Sequence, residues 1–356
     1  MSYYETYEFF AIDRHLTPAE MRALRKISTR ATITPTRFFN FYNWGGLKAD
    51  PHDLVRRYYD LFVYRELSSG TRWATLRFPS DRIDRRAWRT YVTEQRSTVG
   101  TERCASLVSR GGTVLLDLRP PEDPRLARSW SSDESDDDEY DAEPWMDDDF
   151  GDAFEGEEAD EGSLAVPLAL VRADLLAGDL RALYLLWLCS VQCGERRATA
   201  VEPPRPPGLD AVSRLSGVLA SFAEFMRLDE DLLAEALASR RPAARTGGAL
   251  LDAARSAREA RRRKIAKRAA LERARRLALL EQRQEDEWTQ IARLVEEKKA
   301  RSYDDAVQRL LALRELSVDR GTENVFAARL DGLVAQHRSK HAFLSRVRNR
   351  ITLRLP

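Results

Sequence analysis

Cysteine and histidine are scarce in this chain of 356 residues, which has 3 of the first and 4 of the second. Cys104, Cys189 and Cys193 are too few for a disulfide framework, which points to a reducing compartment. The amino terminus, MSYYETYEFFAIDR, has no basic stretch leading into an apolar one, so no secretory signal is expected. The longest apolar run, ALYLLWLCSV at 182–191, is about half the length that a membrane span needs. These absences lead us to expect a cytoplasmic protein with no membrane partner. The common catalytic signatures are missing as well: there is no G-x-x-x-x-G-K-[ST], H-E-x-x-H, G-x-S-x-G or G-x-G-x-x-G. No catalytic residue and no cofactor is therefore assigned, and an enzyme is not expected. Asp13, Arg14 and His15 follow the first strand signal, but a salt-bridged strand end explains them more simply than acid–base chemistry.

One stretch lacks positive charge altogether. Between Asp133 and Glu161 lie 17 acidic residues and no Lys or Arg. The whole-chain charge of +1 hides this: setting those 17 aside leaves a remainder of about +18. Low hydrophobicity and high charge mark 131–163 as an acidic, disordered linker. It lacks the ligand spacing, central Gly and terminal Glu of a calcium loop. Yet Tyr140, Trp145, Phe150 and Phe154 are interleaved among the acids, so an arm that docks by its aromatics is the alternative.

On either side of the strip the chain has different characters. Residues 1–130 alternate strand and helix signals and read as an α+β domain. YEFFAID (7–13), ATITPTRFFNFYNW (31–44), RWATLRFP (72–79) and TVLLDLRP (113–120) look like strands, with Pro35 at an edge or bulge. Thr17, Pro18 and Glu20 form a helix start with a capping box, followed by an apolar stripe of Met21, Leu24 and Ile27. Asp50, Pro51 and Asp53 repeat the signal before a stripe of Leu54, Tyr58, Leu61 and Phe62. The C-terminal half reads as mostly α-helical. Residues 164–240 form a helical domain centred on the apolar stretch 179–192. Residues 241–300 hold a linker and one long, coiled-coil-like helix, since Gly and Pro are absent from 249 to 299. Residues 301–356 form a terminal helical hairpin, started by Ser302 and Asp305 and stopped at Gly321. Val307, Leu310 and Leu311 should face Phe326, Leu330, Leu333 and Leu344 across its turn.

The long helix changes along its length. Its first half carries 11 basic residues against Glu259 and Glu272: Arg255, Arg258, Arg261, Arg262, Arg263, Lys264, Lys267, Arg268, Arg273, Arg275 and Arg276. At about 100° per residue, Arg255, Arg258, Arg262, Arg273 and Arg276 fall near one side. Such a charge cluster with little aromatic interleaving suits phosphate contact without base reading; equally, it can be a helix that only keeps itself soluble. Its second half offers an apolar seam of Leu277, Leu280, Trp288, Ile291 and Val295. Elsewhere, Cys189 with Cys193 and His337 with His341 are pairs four apart, and together would supply four zinc ligands. Cysteines packed as small hydrophobes and a solvated HRSKH face explain them more simply, so no metal is assigned.

WTQIARLVEEKKARSYDDAVQRLLALRELSVDRG, with FAARLDGLVAQHRSKHAFLSRV after it, resembles the helical region that follows the zinc finger in bacterial SWIM zinc-finger proteins. The resemblance rests on Trp288, Lys298, Tyr303, Asp304, Ala306, Val307, Leu310, Leu313, Arg314, Leu330, His337, Lys340, Leu344 and Arg346. The C-x-C and C-x-H pairs of the finger itself are missing. YEFFAIDRHLTPAEMRALRKISTRATITPTRFFNFYNWGGLKADP is similar to the opening of an uncharacterised family of bacterial proteins. The two resemblances imply a bacterial protein and no defined chemistry. The reading is a non-catalytic modular protein that binds nucleic acid or another polyanion through the basic helix, modulated by the acidic segment. The alternative is a protein–protein adaptor without nucleic-acid contact.

Overall fold

The structure is a computed structural model and describes residues 4–95, 103–122, 164–209, 215, 217–238 and 245–351. Its N-terminal part holds strands β1 (Glu5–Phe10), β2 (Thr32–Ile33), β3 (Arg37–Tyr42), β4 (Leu61–Glu66), β5 (Arg72–Pro79), β6 (Thr93–Gln95), β7 (Ala105–Arg110) and β8 (Thr113–Leu118). They form one sheet in the order β2-β3-β1-β4-β5-β8-β7-β6. Every pairing is antiparallel except that of β6 with β7. Between the strands lie α1 (Pro18–Ile27), α2 (Pro51–Arg57) and α3 (Arg85–Arg89).

The α1 start is built as its sequence implies: the Thr17 side chain accepts the Glu20 N–H, and Glu20 returns the bond to the Thr17 backbone. Asp50 caps α2 by accepting the His52 N–H. Two readings need correction. Residues 31–44 are not one strand but β2 and β3 folded against each other, with Pro35, which has no N–H to donate, in the connection. Leu61 and Phe62 do not continue a helical stripe. Helix α2 ends at Arg57 and the chain turns into β4, whose Leu61–Tyr64 are all buried. An unbroken apolar run is what a strand covered on both faces looks like, and it carries no period to separate it from a helix.

Both faces of the sheet are indeed covered. Phe9, Phe38, Phe62, Tyr64 and Leu115 share one core with Leu24 of α1 and Leu54 and Val55 of α2. On the other face, Leu61, Val63, Leu76, Phe78, Leu116 and Leu118 share a core with α4 (Ala165–Leu176), α5 (Arg181–Gln192), α6 (Gly217–Phe225) and α7 (Glu230–Leu237). Alternate residues of β4 and β8 thus serve opposite layers. The helices of 164–240 are therefore not a domain of their own. They form the second helical layer of the N-terminal unit, which runs through Arg258. Ala182 to Val191 of α5 are all buried, as its nearly all-round apolarity implies. Buried Arg172 of α4 fastens this layer: its guanidinium donates to both Asp13 carboxylate oxygens (2.9 and 2.6 Å) and to the Arg77 carbonyl (2.8 Å).

The division between the two compact units falls inside α8 (Gly247–Gln282). The second unit continues with α9 (Gln284–Glu296), α10 (Ala300–Arg320), α11 (Glu323–Gln336) and α12 (His341–Arg350). The single helix expected over 249–299 is interrupted at Arg283 and stops before Lys298, whose φ is +57°. The hairpin is likewise part of a larger cluster, because Trp288, Ile291 and Val295 of α9 pack with Tyr303, Val307 and Leu310 of α10. Phe326 and Leu330 of α11 and Phe343 of α12 complete this core. Gly321 ends α10 in the left-handed region as its sequence implies. Ser302 does not start that helix: α10 begins at Ala300, and the Ser302 hydroxyl donates to Glu297 instead (2.7 Å).

Candidate nucleic-acid interface and the cysteine cluster

Helix α8 is unlike every other element. From Glu259 to Arg276 every residue is exposed, a stretch of about 27 Å at the helical rise. A helix that buries nothing over such a length gains its stability from propensity, from pairs along its surface and from anchorage at its ends. All three are present. Ala and Arg dominate the composition, and Arg263–Glu259 (3.5 Å) and Arg268–Glu272 (2.9 Å) are pairs four residues apart. Buried Leu250 and Ala254 anchor the start, and buried Leu277 lies just beyond the exposed stretch.

The 11 basic residues are sorted by side. Within the N-terminal unit Arg258 binds Asp229 and Asp231, and Arg255 lies 3.7 Å from Asp252. Within the C-terminal unit Arg273 reaches Glu315 (2.7 Å) and Asp319 (3.2 Å), while Arg276 reaches Glu315 (2.6 Å). The stripe read as one basic side is thus largely occupied by the protein's own carboxylates, with Arg262 in its middle. Lys264, Lys267 and Arg275 fall on the other side at about 100° per residue. With Arg262, they make no ion pair among the described residues. Arg261 is also exposed. The sequence did not separate the two sides, because apart from Asp252 the acids that fill one of them are remote in the chain.

Tyr140, Trp145, Phe150 and Phe154 of the acidic segment lie outside the described residues, as does the whole of 131–163. Asp13 and Arg14 are engaged structurally, Asp13 with Arg172 and Arg77, and Arg14 with Glu20. Asp13 is held below its ordinary range chiefly by the Arg172 hydrogen bonds, against the opposing effect of partial burial.

The two cysteines and the two histidines that share a spacing of four fall in different compact units. Cys189 and Cys193 belong to the first unit, and His337 and His341 to the second. His337 is buried with its Nδ1 3.2 Å from Glu296, and His341 is exposed at the start of α12. The partner of the two cysteines is Cys104, the residue before β7, and the three sulfurs lie within 4.8 Å of one another. Cys104 and Cys189 are buried whereas Cys193, the last residue of the α5 cap, is exposed. Hydrogen bonds among the thiols draw Cys193 well below the usual thiol range and push Cys104 up. The Cys189 thiol also meets the Met226 carbonyl at 3.7 Å. Sequence spacing could pair Cys189 with Cys193 but carried no signal for Cys104, which is brought in by the sheet.

Compared with protein-family models, curated proteins and solved structures, the chain matches none. Among the described residues no helix is long and apolar enough to cross a membrane.

Proposed function

We propose that the protein is a non-catalytic, modular polyanion binder whose helix α8 contacts the phosphates of a nucleic acid, with the acidic segment 133–161 competing for the same surface. The observation that carries this reading is the fully exposed run Glu259–Arg276, with Arg262, Lys264, Lys267 and Arg275 unspent on ion pairs among the described residues. Cations already paired within the chain must break those pairs before meeting phosphate, whereas solvated ones release only water and counterions. The absence of aromatic residues from this run supports backbone contact over base stacking or base reading.

The test is a salt series of duplex DNA and single-stranded RNA binding by fluorescence anisotropy. Neutralising Lys264, Lys267 and Arg275 to Gln should lower the slope of log K against log salt on duplex DNA by about 2.7, about 0.9 for each lost contact. Neutralising Arg273 and Arg276, which are held by Glu315 and Asp319, should change it less. Salt-independent binding, or equal losses in the two variants, would refute the reading.

A second reading is a protein–protein adaptor, and one observation favours it. Ile265, Leu271 and Leu279 are exposed on α8, at 62%, 53% and 59%, and fall within an arc of about 120°. That is an apolar edge suited to a partner helix. A partner retained on the chain after nuclease treatment, and lost on Ile265→Lys, would favour the adaptor. A partner lost with nuclease would favour the nucleic-acid reading.

A further inference from the structure

The three cysteines are placed by secondary structure, and the placement has a chemical consequence. Helix α5 ends in a two-bond turn: the Gly194 N–H donates to the Val191 carbonyl and the Glu195 N–H to the Ser190 carbonyl. Gly194 sits at φ +72°, the left-handed conformation that this ending requires. Cys189 and Cys193, one helical turn apart, then present their sulfurs on one side. The reversal at Gly194 brings Glu195 back alongside them. Its Oε1 accepts the backbone N–H of Cys104, and the carboxylate also meets the Cys104 thiol. Cys104, the residue before β7, comes from the sheet face that α5 shares a core with.

We propose that Cys104, Cys189, Cys193 and Glu195 form a zinc site that pins the end of α5 to the start of β7. Three sulfurs and one carboxylate are four ligands of the types that zinc takes in tetrahedral sites. Zinc–sulfur bonds of about 2.3 Å put tetrahedral sulfurs about 3.8 Å apart, so the three sulfurs, within 4.8 Å of one another, need at most about 1 Å of closure. Glu195, which lies outside that cluster with Oε1 on the Cys104 N–H, turns inward to supply the fourth ligand. The charges also balance. Three thiolates and a carboxylate around a divalent ion leave two negative charges, and the guanidiniums of Arg103 and Arg196 act on this cluster. The carbonyl end of α5 favours a cation there and offers no stabilisation to thiolates alone. Cysteines serving only as small core hydrophobes would not need Cys193 exposed or a carboxylate turned onto Cys104. Each thiol gives its proton to solvent as the ion binds.

The experiment uses the full chain, purified under reductant and tested for metal by mass spectrometry, then stripped and titrated with Co²⁺ and Zn²⁺. The expected result is one zinc per chain, and a thiolate-to-cobalt charge-transfer band that zinc bleaches. Cys193→Ser, at an exposed position and checked for fold by circular dichroism, should weaken the band. It should also cost more affinity than the ~10–100-fold typical of an outer-shell partner. Glu195→Gln should keep the sulfur band while weakening binding at least about tenfold. A folded, fully reduced chain that takes up neither ion overturns the proposal, as does a cobalt spectrum unchanged in Cys193→Ser. A chain isolated with a disulfide among these cysteines that takes no zinc once reduced overturns it too.

Discussion

Replacing Arg172 by Met isolates the contact that ties the second helical layer to the sheet. The Arg172 side chain is 3% exposed and makes three hydrogen bonds, two of them charge-assisted to Asp13. It also lies 3.5 Å from the buried Asp60 carboxylate and 5.7 Å from the Phe78 ring centre. Breaking a buried ion pair by removing one partner typically costs 3–5 kcal/mol. Two features reduce that figure here. Asp13 is 40% exposed, so its orphaned carboxylate rehydrates in place. Asp60 keeps Arg77 and the N–H groups of Ile12 and Asp13 as partners. The Met side chain also restores much of the apolar contact of the arginine stem. The expected loss is therefore about 2–3 kcal/mol. A single melting temperature would mix two compact units, so the assay is native-state hydrogen exchange at the amides of β5 and α4. A loss below about 1 kcal/mol there would mean that apolar packing alone holds the layers. Full rescue by Arg172→Lys would refute the fork geometry, because an ammonium cannot make both Asp13 bonds and reach the Arg77 carbonyl.

Other outcomes follow from the same structure. Asp117 is buried, which pushes its carboxyl up, but the His52 hydrogen bond, the charges of His52 and Arg119 and the Thr75 bond outweigh this and hold it below the usual carboxylate range. A depressed native pKa stabilises the fold above the unfolded value, and that contribution is lost as pH falls below about 4. Acid titration of the first unit should therefore be shallower in Asp117→Asn. Gly321→Ala forces a Cβ into the left-handed cap of α10 at φ +65°, and should cost the second unit about 1–2 kcal/mol by urea unfolding. Gly321→Asn should cost less. Deleting 133–161 removes 17 negative charges, and should tighten polyanion binding and steepen its salt dependence. Unchanged affinity and slope would reject competition by the acidic segment.

How much of this was legible beforehand depends on the range of the interactions. The capping box at Thr17, the cap at Asp50, the stop at Gly321 and strands β5 and β8 are local features, decided by neighbours a few residues away. They read directly. Strand β4 did not, because burial on both faces erases the alternation that marks a strand. The break at Arg283 also carried no signal, since the residues around it are all good helix formers.

By itself, the sequence determined the change from a mixed to a helical chain, the burial of α5 and the basic run of α8. Each follows from composition and periodicity within one segment. Only the tertiary structure decided that α4–α7 cover the sheet rather than stand apart, since the surfaces they match lie on strands far away in the chain. It alone decided which basic residues of α8 face partners, because Glu315 and Asp319 are some 40 residues from Arg273 and Arg276. It alone brought Cys104, at the start of β7, to Cys189 and Cys193 at the end of α5, a meeting that no spacing rule connects.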